Sequence, residues 1–108
     1  MFIAYEVTLD AIRSLPPLIA AIKRHNRELA DQLERAGQST LPHLAEARRR
    51  SGKDRQNRYR TFAGEAAESV ACLDVAIAWA YAPVAELAAS RALFDHALAL
   101  TWPMCKPG

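Results

Sequence analysis

The stretch DRQNRYRTFAGEAAESVACLDVAIAWA, Asp54 to Ala80, carries apolar residues at Tyr59, Phe62, Ala63, Ala66, Val70, Leu73, Ile77 and Ala80. Steps of three and four line one face of an α-helix, whereas a strand would alternate. Asp54 stands where a side-chain oxygen can cap the first turn, and Ser51-Gly52 before it supplies stop chemistry for whatever precedes. Tyr81-Ala82-Pro83 is a turn that ends the helix. A helix this long must cover its apolar stripe, so partners of the same period are expected on both sides.

They are present. Towards the C-terminus, Val84, Leu87, Arg91, Phe94, Leu98 and Thr101 give the next helix an inner stripe, and Leu93, Ala97 and Leu100 form a second apolar face on it. One stripe suffices inside a bundle, so the second face points to burial against another subunit. Towards the N-terminus, Leu29, Leu33, Ala36, Thr40, Leu44 and Ala47 repeat at helical spacing up to about Arg49, with Asn26 as N-cap and Glu28 near the positive helix end. Gly37 and Pro42 weaken the middle, and Pro42 cannot bond to Gln38, so a bend is expected there. Before that, Leu9, Ile12, Leu15, Ile19 and Ile22 form one stripe. Pro16 and Pro17 interrupt it, either as a kink or as a restart in which Ser14 caps and the prolines fill the first turn.

Four helices joined by short connections predict an all-α, antiparallel up-down four-helix bundle over residues 1–102, followed by an irregular tail over 103–108. A chain of 108 residues fits one such domain. Scarce glycine and an excess of alanine, leucine, arginine and glutamate agree with helix. The N-terminal residues carry Glu6 and Asp10 and no basic leader. The longest apolar run, Val75 to Ala85, contains Pro83 and is about half of what a membrane span needs. Cys72 and Cys105 form no C-x-x-C pair. A soluble, cytoplasmic chain with free thiols is the expectation.

The net charge is only +2, yet seven of the fourteen lysines and arginines fall between Arg48 and Arg60, at the corner between two helices. Arg48, Arg49, Arg50, Lys53, Arg55, Arg58 and Arg60 concentrate positive potential where solubility alone would let it spread, which points to a polyanion such as a phosphate backbone. The competing reading is a solvated helix end whose cations favour the helix dipole. Tyr59 could stack on a base if exposed, although its place on the apolar stripe points to the core.

Little else suggests chemistry. His43-x-x-Glu46 inverts the order that di-iron bundles use and has no second copy. His25 and His96 have no nucleophile at useful spacing, and Ser69, Cys72 and Asp74 lack a base. Neither a glycine-rich phosphate loop nor a zinc spacing occurs. No cofactor, no metal and no catalytic residue are expected. Gly64 within a helix costs about 1 kcal/mol relative to alanine, a loss offset if another helix approaches there. Glu46 or Glu68 would then pair with the corner arginines or accept from a neighbouring helix. Trp79, Tyr81 and Trp102 read as packing anchors with polar tips.

Leu29-Ala30-Asp31-Gln32-Leu33, with Leu44-Ala45-Glu46, Gly52-Lys53-Asp54-Arg55, and Gly64 followed by Glu68, resembles the bacterial four-helix-bundle proteins encoded in intervening sequences of large-subunit ribosomal RNA genes. The accessory protein of diversity-generating retroelements looks like a relative of that fold. The resemblance spans roughly Val7 to Leu100, and the chain departs from the pattern at Ala47 and Glu65. It implies a homopentameric barrel and, through the retroelement relatives, a basic surface that engages nucleic acid and a reverse transcriptase. The expected function is therefore a non-enzymatic accessory that binds RNA or DNA through its basic corner. The alternative is a scaffold or adaptor for a protein partner whose arginines serve subunit salt bridges.

Overall fold

The computed structural model describes residues 2–106. Five helices follow one another: α1 (Ile3–Arg13), α2 (Leu15–Lys23), α3 (Arg27–Arg49), α4 (Gly52–Trp79) and α5 (Val84–Cys105), with no strand among the described residues. The first two make one rod of a four-rod bundle, α1 lying mainly on α5 and α2 on α3, while α3 packs on α4 and α4 on α5. Short connections fold neighbours back on each other. The molecule measures 43 × 24 × 19 Å, its length set by α4.

The break in the first rod is a restart. Only Ser14 separates α1 from α2, and Pro16 and Pro17 sit in the first turn of α2, where missing amide protons do least harm. Ser14 does not cap with its side chain. Its hydroxyl donates to the Ala11 carbonyl, and the buried Ser90 hydroxyl donates to it across the bundle at 2.7 Å. The buried stripe of this rod is Ala4, Thr8, Ala11, Leu15, Leu18 and Ile22, turned from the expected one so that Leu9, Ile12 and Ile19 are only half covered.

Helix α3 follows the sequence reading closely. Asn26 Oδ1 accepts from the Leu29 amide at 3.0 Å, and Leu29, Leu33, Ala36, Thr40, Leu44 and Ala47 are all buried. The helix runs unbroken through Pro42, which is exposed, so the Gln38 carbonyl it leaves unpaired lies on that outward side. In α4, Tyr59, Phe62, Ala66, Ser69, Cys72, Leu73 and Ala76 are buried, while Ala63, Val70 and Ile77 are half covered. Two expectations fail there. Asp54 is not the cap, because the helix starts at Gly52 after Ser51. Ala80 is not a core residue: it is exposed and left-handed at φ 52°, closing the helix as the amide of Tyr81 bonds to the Ala76 carbonyl at 3.0 Å.

Helix α5 buries Leu87, Ser90, Phe94, Ala97, Thr101 and Cys105. Ala97 therefore belongs to the inner stripe and not to a second face. Val84 is exposed, and Arg91 reaches out to pair with Asp74. The helix also continues through Pro103 to Cys105, three residues into the expected irregular tail, and Pro107 and Gly108 lie outside the described residues. Buried hydroxyls on Thr8, Thr40, Ser69 and Thr101 donate to carbonyls three or four residues back, so small polar residues occupy core positions without orphaned groups.

Close helix approach occurs at Gly37. A Cβ there would fall 2.6 Å from Leu15 Cδ1, whereas one at Gly64 would meet nothing within 4 Å. No helix packs over Gly64, because its position faces outward. Gly64→Ala should accordingly raise stability by about 1 kcal/mol through helix propensity alone. Gly37→Ala should forfeit that gain by displacing the buried Leu15, and urea midpoints of the two variants would separate the cases.

Candidate nucleic-acid interface

The corner between α3 and α4 is two residues, Arg50 and Ser51, both extended, followed by Gly52 at φ 60°. Left-handed backbone favours glycine at that position, and it turns the chain sharply enough to bring the last turn of α3 beside the first of α4. Six of the seven basic residues, Arg48, Arg49, Arg50, Lys53, Arg55 and Arg60, are exposed, and Arg58 is half-buried.

Their engagements differ. Arg50 donates to Glu46 Oε1 at 2.8 Å and lies 3.6 Å from Asp54, which also holds Arg58 at 3.9 Å. Arg60 donates to the Cys105 carbonyl at 2.9 Å, holding an end carbonyl of α5. Arg48 lies over the Phe2 ring at 4.3 Å, and Arg55 over Tyr59 at 5.7 Å. Arg49 and Lys53 make no ion pair among the described residues. Exposed pairs of the Arg50 kind contribute little, about 0 to 1 kcal/mol, so an incoming phosphate can displace them.

A cavity of about 510 Å³ opens beside this corner, between the start of α4 and the end of α5. Lys53, Arg55 and Lys106 line it together with Tyr59 and Met104. Tyr59 itself is 1% exposed and belongs to the core, so its ring is no open platform for a base.

Glu46 thus serves the corner, while Glu68 Oε2 accepts from Gln32 Nε2 on α3 at 3.2 Å. Leu93 and Leu100 are half covered beside the core. The more consequential acid is Glu65. Its Oε1 lies 2.9 Å from His43 Nδ1, and its Oε2 is enclosed with no hydrogen-bond partner. His43 Nδ1 is also 2.9 Å from the Ser39 carbonyl, which can only accept, so that nitrogen carries the hydrogen. Burial pushes the Glu65 carboxyl up, His43 pulls it partly back, and Glu68 adds to the rise. Folded protein therefore keeps this proton at a pH where unfolded chain has released it, and stability should fall as pH rises through the raised value. Glu65→Gln retains an acceptor for His43 and should flatten that fall, measured as urea midpoint against pH. An unchanged slope would assign it to other groups.

Cys72 and Cys105 are free and buried. Burial raises both thiols, Glu68 adding to the effect at Cys72 and Arg60 opposing it at Cys105, which keeps thiolate scarce. Among the described residues no group of three or more histidine, cysteine or acidic side chains is placed to hold a metal ion. No described helix is long and apolar enough to cross a membrane.

Sequence reading missed one arrangement. At the end of the bundle away from the corner, His25 stacks on Tyr81 with centroids 5.2 Å apart, and Tyr81 on Trp79 at 6.2 Å. Trp79 is 70% exposed and Trp102 57%, so neither packs in the core of the single chain.

The sequence matches no protein-family model, and no curated protein is significantly similar to it. In three dimensions the chain is similar to a crystal structure of a protein of unknown function from the S23 ribosomal protein family of Bacteroides thetaiotaomicron. The TM-score is 0.84 over 95% of this chain and 98% of that one, at 19% sequence identity, a likeness of fold.

Proposed function

We propose that this helical bundle is a cytoplasmic, non-enzymatic protein that binds RNA or DNA through the α3–α4 corner, as an accessory to a larger nucleoprotein system such as one built around a reverse transcriptase. The observation that carries the reading is the exposure of six clustered cations, with Arg49 and Lys53 free of ion pairs among the described residues and a cationic cavity beside them. Arginine forks suit phosphate oxygens, and a helical frame holds them at fixed spacing. Its fold likeness to a protein assigned to a ribosomal protein family is compatible with an RNA partner.

Assembly as a homopentamer, which the family resemblance implies, is part of the proposal. Exposed Ile3, Val75, Val84 and Trp102 supply apolar surface for subunit contacts, and light scattering would give the mass directly. The scaffold reading draws on the same surface and on the pairing of Arg50 and Arg58 with Glu46 and Asp54.

A salt titration separates the two. Phosphate binding requires the logarithm of affinity for a mixed-sequence RNA or DNA to fall linearly and steeply with the logarithm of salt concentration. Absent binding at low salt would leave the scaffold.

A further inference from the structure

We infer that the opposite end of the bundle is a second, separate site, one that takes unpaired nucleobases of single-stranded nucleic acid by stacking them on the ladder His25–Tyr81–Trp79. The three rings come from the α2–α3 turn, the α4–α5 turn and the last residue of α4. The planes of His25 and Tyr81 differ by 7°, and those of Tyr81 and Trp79 by 20°. Offset rings at these separations form a near-parallel stack, and a base has the shape and π-face to extend it.

The left-handed Ala80 makes this possible, because it turns the chain between Trp79 and Tyr81 so that two residues so close in sequence present parallel faces. At 70% exposure the indole is not a core residue, and the stack ends on a ring that solvent can reach.

Charge selects the partner. Lys23, Arg24 and Arg27 flank His25, are exposed, and form no ion pair among the described residues. Lys23, Arg24 and Arg27 line a cavity of about 470 Å³ with Ala20. Glu28 and Glu86 occupy first turns of α3 and α5 at this same end, yet neither holds one of these cations. Aromatic faces interleaved with free cations are what a flexible phosphate chain with splayed bases requires, whereas an apolar protein surface would leave three charges uncompensated. The site does not depend on the arginine corner.

Trp79 reports on its own site once Trp102→Phe has removed the other indole. A short oligothymidylate should quench the remaining fluorescence, while inorganic polyphosphate, which has charge without bases, should not. With Arg49, Lys53 and Arg55 already changed to alanine, so that the corner does not compete, Trp79→Ala should weaken binding of an end-labelled oligothymidylate, read by anisotropy, about ten-fold or more, and Trp79→Phe, which keeps a ring, should restore most of it. Quenching should persist when Arg49, Lys53 and Arg55 are all alanine, which distinguishes this end from the corner. The inference is overturned if polyphosphate quenches equally, if no quenching occurs, or if adding Trp79→Ala to the triple-alanine corner variant leaves its oligothymidylate affinity unchanged. It is also overturned if Trp79→Ala lowers the assembly mass, since the indole would then be a subunit contact.

Discussion

Changing Arg49, Lys53 and Arg55 together to alanine should weaken nucleic-acid binding by about two orders of magnitude at 0.1 M salt, and lower the salt slope by about 2 to 3. Each phosphate contact on single or double strands releases about 0.7 to 0.9 of a counterion, so three lost contacts fix both numbers. These three are chosen because none is in an ion pair among the described residues. Arg50 and Arg58 are already shared with Glu46 and Asp54, and Arg60 holds the Cys105 carbonyl, so removing them would mix binding with stability. The triple variant should keep its helix content, because all three side chains are exposed. A slope equal to that of the parent would show that phosphate contacts lie elsewhere.

Phe94→Ala should cost about 3 to 5 kcal/mol, the range for emptying a fully enclosed aromatic site. Phe94 is 0% exposed, and its Cζ would lie 3.8 Å from a Cβ at Gly37, so its ring reaches across the bundle to the place where α3 lets Leu15 approach. Helix backbones hold their course around such a hole, which limits collapse into it. Against a total of about 5 to 15 kcal/mol for an isolated domain, the loss is large enough to read as a shifted urea midpoint at unchanged slope.

Much of the fold was legible because apolar period survives in the sequence. Asn26, Glu28 and the six stripe residues of α3 are all where the pattern puts them. The stripes of α1, α2 and α5 were less so, since core places there are held by Thr8, Ser90, Ala97 and Thr101, which carry little hydrophobic signal and meet their polar needs locally. Propensity also misleads at Pro103, which α5 passes through, and it does not tell Gly64, where no helix approaches to offset the cost, from Gly37, where a Cβ would crowd Leu15.

The corner was readable because seven basic residues are close in sequence. The distribution of their partners was not, since Cys105 is 45 residues from Arg60. His43 with Glu65, and His25 with Tyr81, join residues that only the helix register brings together. Adjacent side chains on different helices leave no local trace.

The long axis has one more consequence. At 43 Å it equals about thirteen stacked nucleotides of 3.4 Å each. A strand that stays stacked between the two ends and is shorter than that would engage the arginine corner or the aromatic stack but not both, so fragment length, rather than base order, would set how many footholds one molecule offers.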